Sequence, residues 1–449
     1  MKATSFCIPL ILAYFYSESE YGIISLGYAY LNFFSMFFTF GFCESIQRFY
    51  YEIKQNNRED IFGNIFVFNF ILVFLFSLVF IILCFFSNIF KELSVNIFLM
   101  VIFVGYLKSF QSMGLSFLQM EKQSSRYVKV SIFSVMLDIS LVIVFVCLVK
   151  LPIEYRFVSL VLCNMVSAIC ILIYIKGLVK PPKKILNKKF IQIIKFAFPC
   201  MLLPVMSWLL TTSDKIVMSK FVTMTNFGVY SFCFSISQIP VIIQQGFITA
   251  YTPVFYSEYE KVEKIRSIQT LFIKFYSLIL LVFFFLINVF FKYVKIFEKY
   301  ENGLGFLPFF ILSMFFSAIS SKNNLHLTYN YKTKITLLIT SITGVITLVL
   351  NFVLIKNYGM FGAAVSVMIS MMLQMLLSFL MSFHFGYFAW KSIELLITFC
   401  LLVLGLIFSK NYIIICLCII VNVVFIFVSE KEKINRVLLR KKYVEESSK

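Results

Sequence analysis

FYSESEYGIISLGYAYLNFFSMFFTFGFCESIQRFYYE, residues 15–52, aligns without a gap on FVTMTNFGVYSFCFSISQIPVIIQQGFITAYTPVFYSE, residues 221–258, at an offset of 206. Phe15 falls on Phe221, Gly22 on Gly228 and Ser25 on Ser231, while Phe49, Tyr50 and Glu52 fall on Phe255, Tyr256 and Glu258. At the same offset Arg126 meets Lys332, Leu148 meets Leu354 and Lys150 meets Lys356. The identities are few. The alignment gains force because loops and apolar runs stay in phase along it. Self-similarity of this kind implies two alike halves facing each other, an arrangement that many transporters use with the site between the halves.

Composition sets the environment. Of 449 residues, 61% are hydrophobic, 19% aromatic and only 14% charged, with a mean hydropathy of +0.93. A water-soluble chain of this size would lack the polar atoms to cover its surface. Apolar runs of roughly 20 residues recur along the whole length, each long enough to cross a bilayer as a helix. They are continuous rather than alternating, which excludes a β-barrel. The expected fold class is therefore an all-α integral membrane protein. Spans are expected near 3–16, 22–44, 61–86, 95–119, 127–149, 157–176, 190–213, 227–250, 267–291, 303–327, 334–355, 360–383, 391–409 and 411–428. The first is short of its repeat partner by about sixteen residues, so either it is a short helix or the chain starts upstream. No cleavable signal pattern is expected at this end.

The net charge of +19 raises the idea of nucleic-acid binding, which the distribution of charge rejects. Alternate loops carry 28 Lys and Arg on one side and 10 on the other. The positive-inside rule puts the richer side, with both termini, in the cytoplasm. The densest run is KGLVKPPKKILNKK, 176–189, between the repeats. The domain reading is an N-lobe over 1–176, a basic linker over 177–189 and a C-lobe over 190–385. Two further spans cover 386–428, and a basic tail covers 429–449. Eleven cysteines are scattered singly as small hydrophobes, with no metal-binding spacing.

Ionisable side chains within spans are costly and mark functional candidates. Lys108 and Asp138 sit near the middles of adjacent spans, in reach of an ion pair that either lines a cavity or locks two helices. Gln111, Ser112 and Gln119 share the Lys108 face. Asp214 and Lys215 occupy the outer end of span seven, as a cavity element or a solvated helix end. Lys322 and Lys274 either enter the protein or snorkel to an interface. Gln238 and Gln245 share a face of span eight, as a cavity wall or as helix–helix hydrogen bonds. Pro199 and Pro204 suggest a bend in span seven. The two histidines, His326 and His384, are isolated, and no HExxH, GxSxG or GxxxxGK[ST] is present, so no enzyme activity and no cofactor is expected. Symmetry is broken where the charges lie: Lys108 maps to Met314 and Asp138 to Gly344.

SESEYGIISLGYAYLNFFSMFFTFGFCESIQRFYYE, 17–52, resembles the start of polysaccharide flippases of the MOP superfamily, the Wzx-type translocases of O-antigen and capsule repeat units, through Gly22, Gly41 and Arg48. SDKIVMSKFVTMTNFGVYSFCFSISQIPVIIQQGFITAYTPVFY, 213–256, resembles their second-half signature through Asp214, Lys215, Gly228, Tyr230, Pro253 and Tyr256. YNYKTK followed by IKNYGMFGAAVSVMIS resembles a third element through Lys332, Lys334, Gly359, Gly362 and Ala363. The likeness runs through most of residues 10–385. It implies twelve to fourteen helices, as two six-helix lobes plus two C-terminal helices, in a bacterial inner membrane. The implied cargo is an undecaprenyl-pyrophosphate-linked oligosaccharide for O-antigen, capsule or exopolysaccharide, carried by alternating access. The implied partners are a polymerase, a chain-length regulator and a coupling ion, H⁺ or Na⁺. Arg48, Lys332 and Lys334 become cytoplasmic gate candidates, and Lys108, Lys215 and Lys322 pyrophosphate ligands. A lipid II flippase, a multidrug/cation antiporter and a membrane-embedded polysaccharide polymerase remain alternatives.

Overall fold

The computed structural model describes residues 4–53, 55–86, 92–176, 188–386, 392–408 and 411–447. The linker expected at 177–189 lies almost wholly outside them. Among the described residues the chain is helical and has no strand. The helices are α1 (Thr4–Phe15), α2 (Glu18–Thr39), α3 (Phe42–Phe49), α4 (Gln55–Phe86), α5 (Val95–Met120), α6 (Ser124–Val142) and α7 (Glu154–Ile175). There follow α8 (Lys188–Phe221), α9 (Met224–Ser237), α10 (Ile239–Ser257), α11 (Val262–Tyr293), α12 (Leu307–Tyr329), α13 (Thr333–His384), α14 (Ser392–Ile407) and α15 (Tyr412–Ser447).

Eleven helical segments are long and apolar enough to cross a membrane. This is a multi-pass membrane protein. Its outward faces fit that solvent: Phe70, Phe74, Leu75, Leu78, Val79 and Ile82 on α4 are all exposed, a stripe that water would not tolerate. Helix α13, at 52 residues, would extend about 78 Å at 1.5 Å per residue, against a hydrocarbon core of ~30 Å. It is broken at Gly359, whose φ of 58° and ψ of −132° interrupt the helix. The sequence places a turn between two spans at this point. Pro199 and Pro204, by contrast, lie inside α8 without ending it.

Local chemistry explains the helix starts. The short α1 hands over to α2 through a capping box: the Ser17 hydroxyl accepts from the Glu20 amide at 3.3 Å, and the Glu20 carboxylate accepts from the Ser17 amide at 2.9 Å. Two residues of positive φ, Phe40 and Gly41, then separate α2 from the short α3.

The contacts define two compact units. The first comprises Met1–Ser235 with Thr340–Ser366. Its tightest crossing joins α2 and α9 at two glycines that the 206-residue repeat makes equivalent. A Cβ on Gly22 would stand 2.5 Å from the Met224 carbonyl oxygen and 3.3 Å from the Gly228 amide, and one on Gly228 would collide with the Glu18 carbonyl at 1.7 Å. Small residues allow backbones this close inside a membrane bundle. The Tyr21 hydroxyl bonds the Ser235 hydroxyl at 3.3 Å beside the same crossing.

The second unit comprises Ile236–Ile339 with Val367–Lys449. Here the structure revises two expectations. Lys274 does not snorkel: it is fully buried on α11 and pairs with Glu394 of α14 at 2.5 Å, with a further bond of 2.8 Å to the Ser429 hydroxyl on α15. Lys322 on α12 is also buried, and its ammonium donates to the Gln269 carbonyl at 3.3 Å. Both amines find their partners in protein because α11 packs against α12, α14 and α15. The division into these units does not follow the repeat boundary near residue 190.

Candidate functional site

A cavity of about 440 Å³ opens within the first unit, inside the ~300–1,000 Å³ typical of small-ligand sites. Helical register decides what faces it. Tyr21, Ser25, Tyr28 and Asn32 come from one face of α2, Lys108 and Gln111 from α5, and Ser134, Val135 and Asp138 from α6. Arg156, Leu160, Cys163 and Asn164 come from α7, Lys215 from α8 and Ser235 from α9. The short α1 contributes an apolar wall of Ile8, Pro9 and Leu12.

The sequence pairs Asp138 with Lys108; the structure pairs it with Arg156. Arg156 Nη1 lies 2.7 Å from Asp138 Oδ1 and Nη2 lies 3.3 Å from Oδ2. Nη1 also donates to the Ser159 hydroxyl at 2.9 Å, Nε donates to the Tyr28 hydroxyl at 2.9 Å, and Nη2 makes a short bond to that same oxygen. The guanidinium is 1% exposed and the Asp138 side chain 20%, so the pair sits at the cavity wall with the carboxylate toward the opening. A planar, forked donor suits this geometry better than a lysine ammonium would. Sequence reading counts Arg156 with the outer-loop charges, just ahead of the span expected at 157–176. The missed signal is a stripe of small polar residues behind it: Ser159, Cys163, Asn164 and Ser167 are all buried along one side of α7.

Lys108 lines the cavity and makes no ion pair or hydrogen bond among the described residues. Lys215 stands 5.0 Å from the centroid of the Phe234 ring, a cation–π contact, and makes no ion pair among the described residues. Gln111 bonds the Ser134 hydroxyl at 3.5 Å. Ser112 and Gln119, expected on the same polar face, are exposed instead. The lining thus holds three basic side chains, Lys108, Arg156 and Lys215, against one carboxylate, Asp138.

The other candidates lie elsewhere. Asp214 is 1% exposed rather than solvated. Tyr230 donates to its Oδ2 at 2.6 Å, and Oδ1 has no partner among the described residues. Gln238 stands half-buried at the break between α9 and α10, and Gln245 is exposed. The residue turned inward is their neighbour Gln244, which donates to Ser321 at 3.1 Å and accepts from Tyr276 at 3.3 Å. Gln238, Gln245 and Lys322 belong to the second unit and do not line this cavity. Arg48 is exposed and pairs with Glu52 at 2.6 Å. Lys332 and Lys334 are exposed at the start of α13, with the Lys332 ammonium 4.9 Å from the Phe385 ring centroid. Among the described residues no group of His, Cys, Asp and Glu could hold a metal ion.

Residues 3–259 match the family described as "Polysaccharide biosynthesis protein". Among solved structures, the lipid II flippase MurJ in an inward closed conformation superposes with a TM-score of 0.69 at 14% identity, over 97% of each chain. The inward-facing conformation of a multidrug resistance MATE family transporter of the MOP superfamily superposes with a TM-score of 0.66 at 13% identity, over 86% of this chain and 94% of that one. At such identities the likeness is one of fold. No curated protein sequence matches the chain. Family and fold converge with the helical bundle and its charged cavity: the chain belongs to the polysaccharide biosynthesis protein family and has the fold of MOP-superfamily transporters.

Proposed function

We propose that this protein is a flippase that carries an undecaprenyl-pyrophosphate-linked oligosaccharide repeat unit across a bacterial inner membrane, for O-antigen, capsule or exopolysaccharide synthesis. The observation that carries the reading is the excess of basic over acidic side chains in the cavity, with Lys108 and Lys215 in no ion pair among the described residues. A pyrophosphate and its sugars cannot cross hydrocarbon unshielded. Two lysine side chains in a water-poor site offer an anion the charge-assisted bonds it needs. A cation exporter would call for the opposite balance. The MurJ-like and MATE-like fold supports alternating access between two six-helix lobes. Breaking α13 at Gly359 and adding α1 and α14 to the long spans supports fourteen crossings. Asp138 and Asp214 are the carboxylates suited to ion coupling, and Arg48, Lys332 and Lys334 to the cytoplasmic gate.

The test is complementation. Lys108→Ala and Lys215→Ala are expressed in cells lacking their own flippase, and surface polysaccharide is measured at equal protein level. Each lost charge-assisted bond is worth about 1.5–3 kcal/mol, so surface polysaccharide is expected to fall sharply for each and to vanish for the double variant. Full complementation by both variants sinks the assignment of this cavity to the substrate.

A further inference from the structure

Arg156 has no donor left to offer a ligand. A guanidinium carries five N–H groups, and the five bonds of Arg156 go to Asp138 twice, Tyr28 twice and Ser159 once. Tyr28 is the reverse case. Its hydroxyl oxygen accepts both Nε and Nη2 of Arg156, which turns the phenolic proton away from the guanidinium as a donor still to be placed. That proton has no acceptor among the described residues, and Tyr28 lines the cavity. A phenol polarised by a cation at its oxygen is a stronger donor than a free one.

The repeat places Phe234 at the position equivalent to Tyr28, so the hydroxyl belongs to the first half alone.

We infer that the Tyr28 hydroxyl donates a hydrogen bond to a phosphate oxygen of the substrate, and that Arg156 and Asp138 are positioning residues that aim and polarise it. This rests on the reading that the cavity receives a polyprenyl pyrophosphate. Lys108 and Lys215 attract the anion by charge, whereas Tyr28 reads its acceptor oxygen by geometry.

The full chain in nanodiscs of neutral lipid is titrated calorimetrically with inorganic pyrophosphate and with farnesyl pyrophosphate, below the pH at which the phenol ionises. Tyr28→Phe is expected to weaken both probes by roughly 10- to 100-fold, as the loss of a bond to a charged group implies, because the phosphate is the part they share. A second variant carries 3-fluorotyrosine at position 28, which keeps ring and hydroxyl while making the oxygen a poorer acceptor and the proton a better donor. Binding is expected to tighten. If Tyr28 merely braces Arg156, the fluorinated side chain weakens binding instead, and the inference fails. It also fails if Tyr28→Phe binds within about twofold of the native chain while Lys108→Ala does not; the cationic cavity then stands without Tyr28. A native chain with no affinity for either pyrophosphate overturns the cavity reading and this inference together.

Discussion

At the scale of single residues, the decisive group is Arg156, and the decisive fact is its saturation. Asp138 neutralises a guanidinium that burial would otherwise strand. Replacing Asp138 by Asn keeps the shape and removes the charge, so the protein is expected to lose about 3–5 kcal/mol, the cost of breaking a buried pair from one side. The double variant Asp138→Asn with Arg156→Gln is expected to lose less than the sum of the two single changes. Thermal unfolding midpoints of the four proteins in one detergent check this as a double-mutant cycle. Equal and additive losses would mean that the pair is not coupled. This is also where sequence reading stopped short. Lys108 and Asp138 were legible because a charge inside an apolar run has no other excuse. Arg156 was not, since just ahead of an expected span a charge has an ordinary explanation in topology. The same limit applied to Lys274, whose partner Glu394 lies 120 positions away and shares no local pattern with it.

At the scale of elements, backbone approach and backbone angle fix positions that composition cannot. Gly22 and Gly228 were visible as a repeated identity, but that they touch each other is a fact of helix crossing. Gly228→Ala must push α2 and α9 apart, because its Cβ would meet backbone rather than a movable side chain. A loss of about 1–3 kcal/mol is expected from such overpacking. Gly359 makes a useful contrast. A Cβ there meets nothing within 4 Å, yet φ 58° with ψ −132° suits only glycine, so Gly359→Ala should cost about 1–3 kcal/mol through strain alone. Thermal unfolding midpoints of Gly228→Ala and Gly359→Ala in one detergent check both losses, and a midpoint unchanged from the native chain would remove the clash or the strain concerned. Helices α14 and α15 follow the same logic at longer range. Lys274 ties both to α11. Lys274→Met should therefore strand Glu394 in the bundle, destabilise by about 3–5 kcal/mol, and expose the α14–α15 region to limited proteolysis. Adding Glu394→Leu is expected to restore much of the resistance. Unchanged cleavage in Lys274→Met would show that packing alone holds these helices.

At the scale of the whole molecule, the sequence was most informative, because bilayer thickness and loop charge act on averages rather than on partners. Hydropathy located the spans, and loop charge ranked the two faces. What averages could not fix was number. Eleven long apolar segments would leave the termini on opposite faces if each crossed once. In the topology proposed above, the break of α13 at Gly359 makes two crossings of one segment, and α1 with the shorter segment Glu394–Ile407 would bring the total to fourteen. An even number would put both termini on one face, and the loop charge read from the sequence favours the cytoplasmic one. The critical element is α1, whose 12 residues extend only about 18 Å, well under the ~30 Å core. If α1 dips into the membrane and returns, the N-terminus moves to the other face while the C-terminus stays. Green fluorescent protein fused after Lys449 is expected to fluoresce, and alkaline phosphatase inserted after Lys299 is expected to be active, which together fix the C-terminal half. A single cysteine placed at Thr4, in a chain otherwise free of cysteine, should then resist a membrane-impermeant thiol reagent in intact cells and react once they are opened. Labelling in intact cells would make the number of crossings odd and remove α1 as a span.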